Sequence, residues 1–192
     1  MSLWGNDIKP KNLTDAEKKE VYATSQGWVR EAGSVLSGND NANATPEVLV
    51  AIGGLATNMG SANITEIEFV TTSFGEAAGG NIDIRVRFNE EVDVVTTGGT
   101  PTVTVTNSQA GSGTDATFTA AYNSGTGSNE LVFRKTYGAA DGGVAENDVL
   151  SIGTNVLALN SGTIKDKGTS TNATITNAAS IGTAAGTLTA AA

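Results

Sequence analysis

Apolar and polar positions alternate most clearly between Gly79 and Thr106, where the chain reads GGNIDIRVRFNEEVDVVTTGGTPTVTVT. Ile82, Ile84, Val86 and Phe88 alternate with Asp83, Arg85 and Arg87. Successive side chains leave a strand on opposite faces, so this period of two predicts an antiparallel strand with one face on a core. Its charged face is expected to be solvated or to meet another subunit. After a turn at Thr97–Thr100 and Pro101, Val103 and Val105 repeat the alternation among Thr102, Thr104 and Thr106.

The same reading extends in both directions. Ile64–Thr72 alternates through Ile67 and Phe69, Val92–Val95 makes a short separate strand, and Ala116–Tyr122 places Phe118, Ala120 and Tyr122 on one face. Further strands are expected to begin at Leu131 and Phe133 and to cover Val149–Ile152, Val156–Leu159, Gly162–Lys165 and Ala173–Thr176. Turn signals separate these runs at intervals of about 8–15 residues, the spacing of an all-β sandwich. The tail from Ile181 to Ala192 is rich in Ala, Gly and Thr, with too little apolar bulk to predict order.

Before residue 61 the pattern differs. Residues 1–13 have no periodicity and read as an extended arm. Thr14 and Glu17 form a capping-box signature, which predicts a short helix over Asp15–Ala23. Gln26–Ala32 suits a strand, and Gly38–Ala44 is loop composition. The continuous apolar run in Pro46–Leu55 suggests a strand covered on both sides. Gly53, Gly54 and Asn58–Asn63 mark a boundary, giving an attachment arm or small subdomain over 1–60, a sandwich over 61–180 and a tail over 181–192. A two-stranded element in the first part could not be stable alone and needs a partner.

Composition supports an all-β class: of 192 residues 24 are glycine, and Thr, Ala, Asn and Ser supply much of the rest. The net charge of −9 is uneven, with 5 basic against 7 acidic residues in 1–62 and 6 against 13 in 63–192. That acidic surface disfavours phosphate backbones, so no nucleic-acid partner is expected. No apolar run reaches the ~20 residues of a membrane span. MSLWGNDIKPKNLTDAEKK lacks the apolar stretch of a secretory leader, so synthesis in a cytoplasm is expected and the Asn-x-Thr sequons at Asn12, Asn43, Asn63 and Asn172 read as chance.

The chain has neither Cys nor His, which removes thiol nucleophiles, thiolate metal sites, His-centred triads and His ligation. Neither a G-x-S-x-G elbow nor an S-x-x-K motif occurs, and no catalytic residue is assigned. Carboxylates cluster at Glu90, Glu91 and Asp93 and again at Asp141, Glu146 and Asp148. Calcium is the one cofactor such loops could take, but the EF-hand spacing is missing, and strand-edge acids are more often solvated surface. No metal ligand is assigned. Gly75, Gly79, Gly80, Gly111 and Gly113 read as turn residues chosen for positive φ. Both tryptophans fall within the first 28 residues. Trp4, Tyr22 and Trp28 therefore form either a small local core or anchors for a partner's pocket, with Lys9 and Lys11 adding attraction to an acidic surface.

From Ser73 to Thr176, a set of motifs resembles a bacterial immunoglobulin-like repeat of cyanobacterial surface proteins and adhesins. They are SFGEAAGGNIDIRVRFNEEVDVVTTGGTPTVTVT, AAYNSGTGSNELVF, GGVAENDVLSI and NSGTIKDKGTSTNATIT. The positions that carry the likeness include Ile82, Ile84, Val86, Phe88, Gly99–Thr102, Tyr122, Ser124, Gly125, Gly127, Leu131, Phe133, Gly162, Ile164, Asp166 and Gly168; RKTY after Phe133 departs from it. The opening MSLWGNDIKPK, with LTDAEKK and GWVREAG, resembles virion structural proteins of marine T4-like phages. Together the two resemblances imply an immunoglobulin-like β-sandwich preceded by an extended N-terminal arm with a short helix. They imply a capsid decoration protein of a phage particle, docked on the major capsid protein or another virion protein, and it could form a dimer or trimer. The alternatives are a tail or fibre component, or a calcium-stabilised adhesin module that binds glycan.

Overall fold

The computed structural model describes residues 21–24, 27–32, 45–51 and 61–192. The chain divides into two compact units, Met1–Thr57 and Asn58–Ala192. Among the described residues of the first unit, β1 (Val21–Thr24), β2 (Gly27–Arg30) and β3 (Glu47–Ala51) form a sheet in that order. The expected helix is corrected at its end: Val21–Ala23 are strand, while Asp15–Glu20 lie outside the described residues. Pairing of Tyr22 with Val29 and Ala23 with Trp28 outweighs the capping signal, as tertiary pairing does over local propensity. The strand expected within Pro46–Leu55 is present as β3, yet Val48 is 60% and Leu49 37% exposed. A three-stranded sheet is too small to cover an edge strand on both faces.

The second unit is all-β apart from α1 (Ala179–Ala184). Its strands are β4 (Ile64–Phe69), β5 (Phe74–Gly75), β6 (Gly80–Val95), β7 (Thr102–Asn107), β8 (Thr117–Ser124), β9 (Ser128–Tyr137), β10 (Val149–Ser151), β11 (Leu157–Ala158), β12 (Thr163–Asp166) and β13 (Thr187–Ala191). They make one curled sheet in the order β12-β6-β9-β8-β7-β10-β13-β5, with β4 also on β6 and β11 also on β7. All these pairs are antiparallel except β13 with β5.

β6 dominates because its alternation continues beyond Phe88. Ile82, Ile84, Val86, Phe88 and Val92 are fully buried, so what the sequence divides into two strands is one strand of 16 residues. Continuity survives because the register with β9 shifts between Arg87 and Val92, a bulge that re-aims a strand without ending it. Phe133 and Leu131 on β9, Phe118 and Ala120 on β8, and Val103 and Val105 on β7 complete the core. Tyr137 joins it edge-to-face with Phe74 and Phe118, at centroid separations of 5.8 and 5.5 Å. The tail is ordered: Leu188 and Ala190 are buried, and β13 pairs with both β10 and β5. Ala173–Thr176 makes no strand of its own; bridges tie Asn172 to Lys165 and Thr174 to Asn63.

Gly79 turns the chain into β6 at φ +66, and a Cβ there would lie 2.5 Å from the Gly138 carbonyl carbon. Gly79→Ala combines left-handed strain with a backbone clash, and is expected to destabilise by about 2–3 kcal/mol. Urea denaturation reads it, and a change below about 0.5 kcal/mol would contradict the tight approach. Gly75, Gly111 and Gly113 depart from the expected reason for glycine, since positive φ is absent at all three. Gly113 is required by proximity instead: a Cβ there would sit 2.0 Å from Asp148 Oδ2.

Candidate functional site

Of the residues singled out for partner binding, Trp4, Lys9 and Lys11 lie outside the described residues. Tyr22 takes its place in β1 opposite Val29, and Trp28 is half-buried in β2, in register with Ala23 and Val50. Arg30, two residues beyond Trp28, is buried at 8% exposure and was not flagged by the sequence pattern. The register thus brings Tyr22 and Trp28 onto one hairpin with exposed Val48 and Leu49 on a strand of the same sheet.

In the second unit, polar chemistry collects in three places. The first is the outer face of β4, β6 and β9. The expectation that Asp83, Arg85 and Arg87 are solvated is corrected there. Arg87 is only 1% exposed, with Nε donating to Glu130 Oε1 at 2.7 Å and Nη1 to Glu66 Oε2 at 2.8 Å. Arg85 donates from Nε to Glu68 Oε1 at 2.7 Å, and Arg134 clasps Asp83 through Nε at 2.7 Å and Nη2 at 2.6 Å. Antiparallel register explains the ladder: Glu66 stands opposite Arg87, Glu68 opposite Arg85, Asp83 opposite Arg134 and Arg87 opposite Glu130. Opposite charges directly across strands stabilise, and the surrounding side chains cover Arg87 while the rest of the ladder stays partly exposed.

The second is Asp148, fully buried, whereas Asp141 and Glu146 of the same sequence cluster are exposed. Its Oδ2 accepts from Asn107 Nδ2 at 2.8 Å and the Ala145 N–H at 2.9 Å, and its Oδ1 from the Gly111 N–H at 2.8 Å. Burial pushes this carboxyl up, but hydrogen bonds from Ala145, Asn107, Gly111 and Gly113 outweigh it and hold the group below its ordinary value. Nearby, Tyr137 donates its hydroxyl to Asp115 at 3.0 Å; burial first, then that bond and the charges of Asp115 and Asp141, raise the phenol.

The third place is the cluster Glu90, Glu91 and Asp93, where the reading as solvated acids holds for Glu91 and Asp93 and is corrected for Glu90. Glu91 and Asp93 are exposed, and Lys167 donates to Glu91 Oε2 at 2.7 Å. Glu90 is buried at 8% exposure because it continues the inward series of Phe88 and Val92. On β12, Ile164 and Asp166 face inward at 1% exposure each, and Asp166 is in register with Val92. Glu90 and Asp166 are therefore diagonal neighbours on one face, and their carboxyls meet in a hydrogen-bonded pair. Burial raises the Asp166 carboxyl, but the bond from Glu90, the N–H and hydroxyl of Thr169 and the Gly168 N–H together lower it. Among the described residues no three His, Cys, Asp or Glu side chains converge as a metal-binding group, and no helix is long and apolar enough to cross a membrane.

The exposed large apolar side chains among the described residues are Val48 and Leu49 on β3, Val70 just after β4 and Val95 at the end of β6. No protein-family model matches the chain, and neither a curated protein nor a solved structure matches it.

Proposed function

We propose that the chain is a non-enzymatic structural protein of a phage particle, a capsid decoration protein whose first unit docks on the major capsid protein or another virion protein. The second unit, taken as an immunoglobulin-like sandwich, is then displayed on the capsid surface. The observation that carries this reading is β3. Val48 and Leu49 are 60% and 37% exposed on a strand of a three-stranded sheet, next to half-buried Trp28 on β2. Apolar strands of this kind gain most by being covered, and burying what remains exposed of the two side chains on a partner would contribute about 2 kcal/mol together. A curled antiparallel sheet around a single core supports the sandwich reading, and the virion assignment is supported by the resemblance of the opening residues. Lack of Cys and His supports a role without catalysis.

Co-sedimentation with undecorated capsids tests it. The full chain is expected to pellet with the particles, while Val48→Asp with Leu49→Asp weakens binding by at least tenfold and deletion of 1–30 abolishes it. Failure of the full chain to bind, or binding unchanged by that deletion, overturns the proposal.

A further inference from the structure

The chain contains one Asp-Gly step, Asp141–Gly142, and no Asn-Gly step. It falls between β9 and β10, where Asp141 is exposed and Gly142 half-buried. Among the described residues, nothing donates to the Asp141 carboxyl and nothing accepts the Gly142 N–H. Gly142 has φ +79, and a Cβ built on it would have no atom within 4 Å. An aspartate carboxyl can close a five-membered ring on the nitrogen of the next residue, and a following side chain hinders that approach. Here the carboxyl and the nitrogen are both unengaged, and glycine leaves the way open.

On either side of this step the chain is fixed. The Ala140 N–H donates to Glu76 O at 3.0 Å. Gly142 O accepts from the Thr114 N–H at 2.9 Å and from its hydroxyl at 3.2 Å, and Gly143 O accepts from the Asp115 N–H at 2.9 Å. Gly143 is packed so closely that a Cβ would lie 2.6 Å from Tyr137 Cε1 and 2.7 Å from Asp115 Oδ2. Asp115 in turn accepts the Tyr137 hydroxyl at 3.0 Å. A backbone lengthened at residue 141 cannot be absorbed here without moving Gly142 and Gly143 off residues 114 and 115.

We propose that Asp141–Gly142 is a modification site at which isoaspartate forms spontaneously, and that the change releases this clamp. The Gly142 nitrogen bonds to Asp141 Cγ, and the hydroxyl of the protonated carboxyl leaves with the amide proton as water, giving a succinimide. Water then opens the ring at either carbonyl. One opening restores aspartate; the other routes the main chain through the side-chain carbon and leaves the former backbone carboxyl as the free charge. Mass and net charge are unchanged, and water is the sole co-reactant. The isoaspartyl form loses the bonds to Thr114 and Asp115, so the second unit melts earlier. The inference stands independently of what the first unit docks on.

Peptide mapping of the full chain, after prolonged incubation at physiological temperature and neutral pH, tests it. Isoaspartate is expected at residue 141 and to exceed that at every other aspartate in the second unit. The aged sample should contain a population whose Tm is lower by about 3–6 °C. Asp141→Glu would require a larger, slowly closing ring, so its aged sample should melt as the fresh one does. Gly142→Ala has space for its methyl and should slow the reaction by about tenfold, equivalent to about 1.4 kcal/mol in the barrier. Absence of isoaspartate at 141 in the unmodified chain, which depends on no variant, overturns the proposal. So does an isoaspartyl form that melts with the fresh protein, or an aged Asp141→Glu sample that shows the same early-melting population.

Discussion

Asp148→Ala is expected to lower the stability of the second unit by about 3–5 kcal/mol and to give the largest loss of any single acidic side chain. The carboxylate is fully buried and receives bonds from Asn107, Gly111 and Ala145, each at 2.8–2.9 Å. Removing it strands those donors in a dry environment, and a buried donor without an acceptor costs about 1–3 kcal/mol. The backbone of the same residue contributes further order, with the Asp148 N–H donating to Ala145 O and the Ala190 N–H to Asp148 O. Asp148 thereby connects the segment after β7, the segment before β10 and the C-terminal strand β13. Asp148→Asn preserves the volume but turns an NH₂ toward donors, so it too should cost about 2 kcal/mol. Glu146→Ala, exposed on the neighbouring segment, should remain within about 0.5 kcal/mol. Urea midpoints for the three variants decide the matter, and a loss below about 1 kcal/mol for Asp148→Ala would sink the claim.

The same group predicts how the fold responds to acid. The Asp148 carboxyl is held below its ordinary value in the folded state. Its stabilisation is therefore fully present above the unfolded carboxylate value of about 3.9 and is lost as pH falls through the folded value. Acid melts of the unmodified chain should steepen below about pH 4, and in Asp148→Asn that part of the slope should flatten. An unchanged slope in the variant would show that other carboxylates govern acid unfolding.

The sheet was legible because its core alternates strictly. Ile82, Ile84, Val86 and Phe88 predict both strand and inward face, and all four are buried. The same alternation carried two residues further would have placed Glu90 with Phe88 and Val92, yet acidity suggested solvent. Charge type is a weaker guide than register once a strand's faces are fixed. Asp148 was not legible in this way. Its donors come from residues 107, 111, 113 and 145, which only loop geometry brings together. The tail illustrates a third case: Thr187, Leu188, Thr189 and Ala190 alternate correctly but carry little bulk, and their order comes from the strands β10 and β5 on either side. In the first unit, Val21–Ala23 follow pairing with β2 rather than the local helix signal.

Arg87→Ala should cost about 3–4 kcal/mol, although this side chain belongs to the face of β6 that the alternation marks as outward. The guanidinium is 1% exposed and lies among Glu66, Glu130 and Glu68, at 2.8, 2.7 and 3.6 Å. Removing one member of such a cluster costs more than the cluster contributes, because it leaves the opposite charges partly buried and close together. Glu66 and Glu130 retain side-chain exposures of 19% and 26%, so they can turn partly toward water, which keeps the expected loss below that of a fully enclosed pair. Arg87→Lys should recover only part of the loss, since one ammonium cannot reproduce the fork that serves two strands at once. The Ala variant combined with Glu66→Gln and Glu130→Gln should be more stable than the Ala variant alone, because it removes the repulsion. A double-mutant cycle between positions 87 and 66 should give a coupling of at least about 1 kcal/mol. Strict additivity would instead mean that Arg87 stabilises the sheet through its aliphatic stem rather than through the charge ladder.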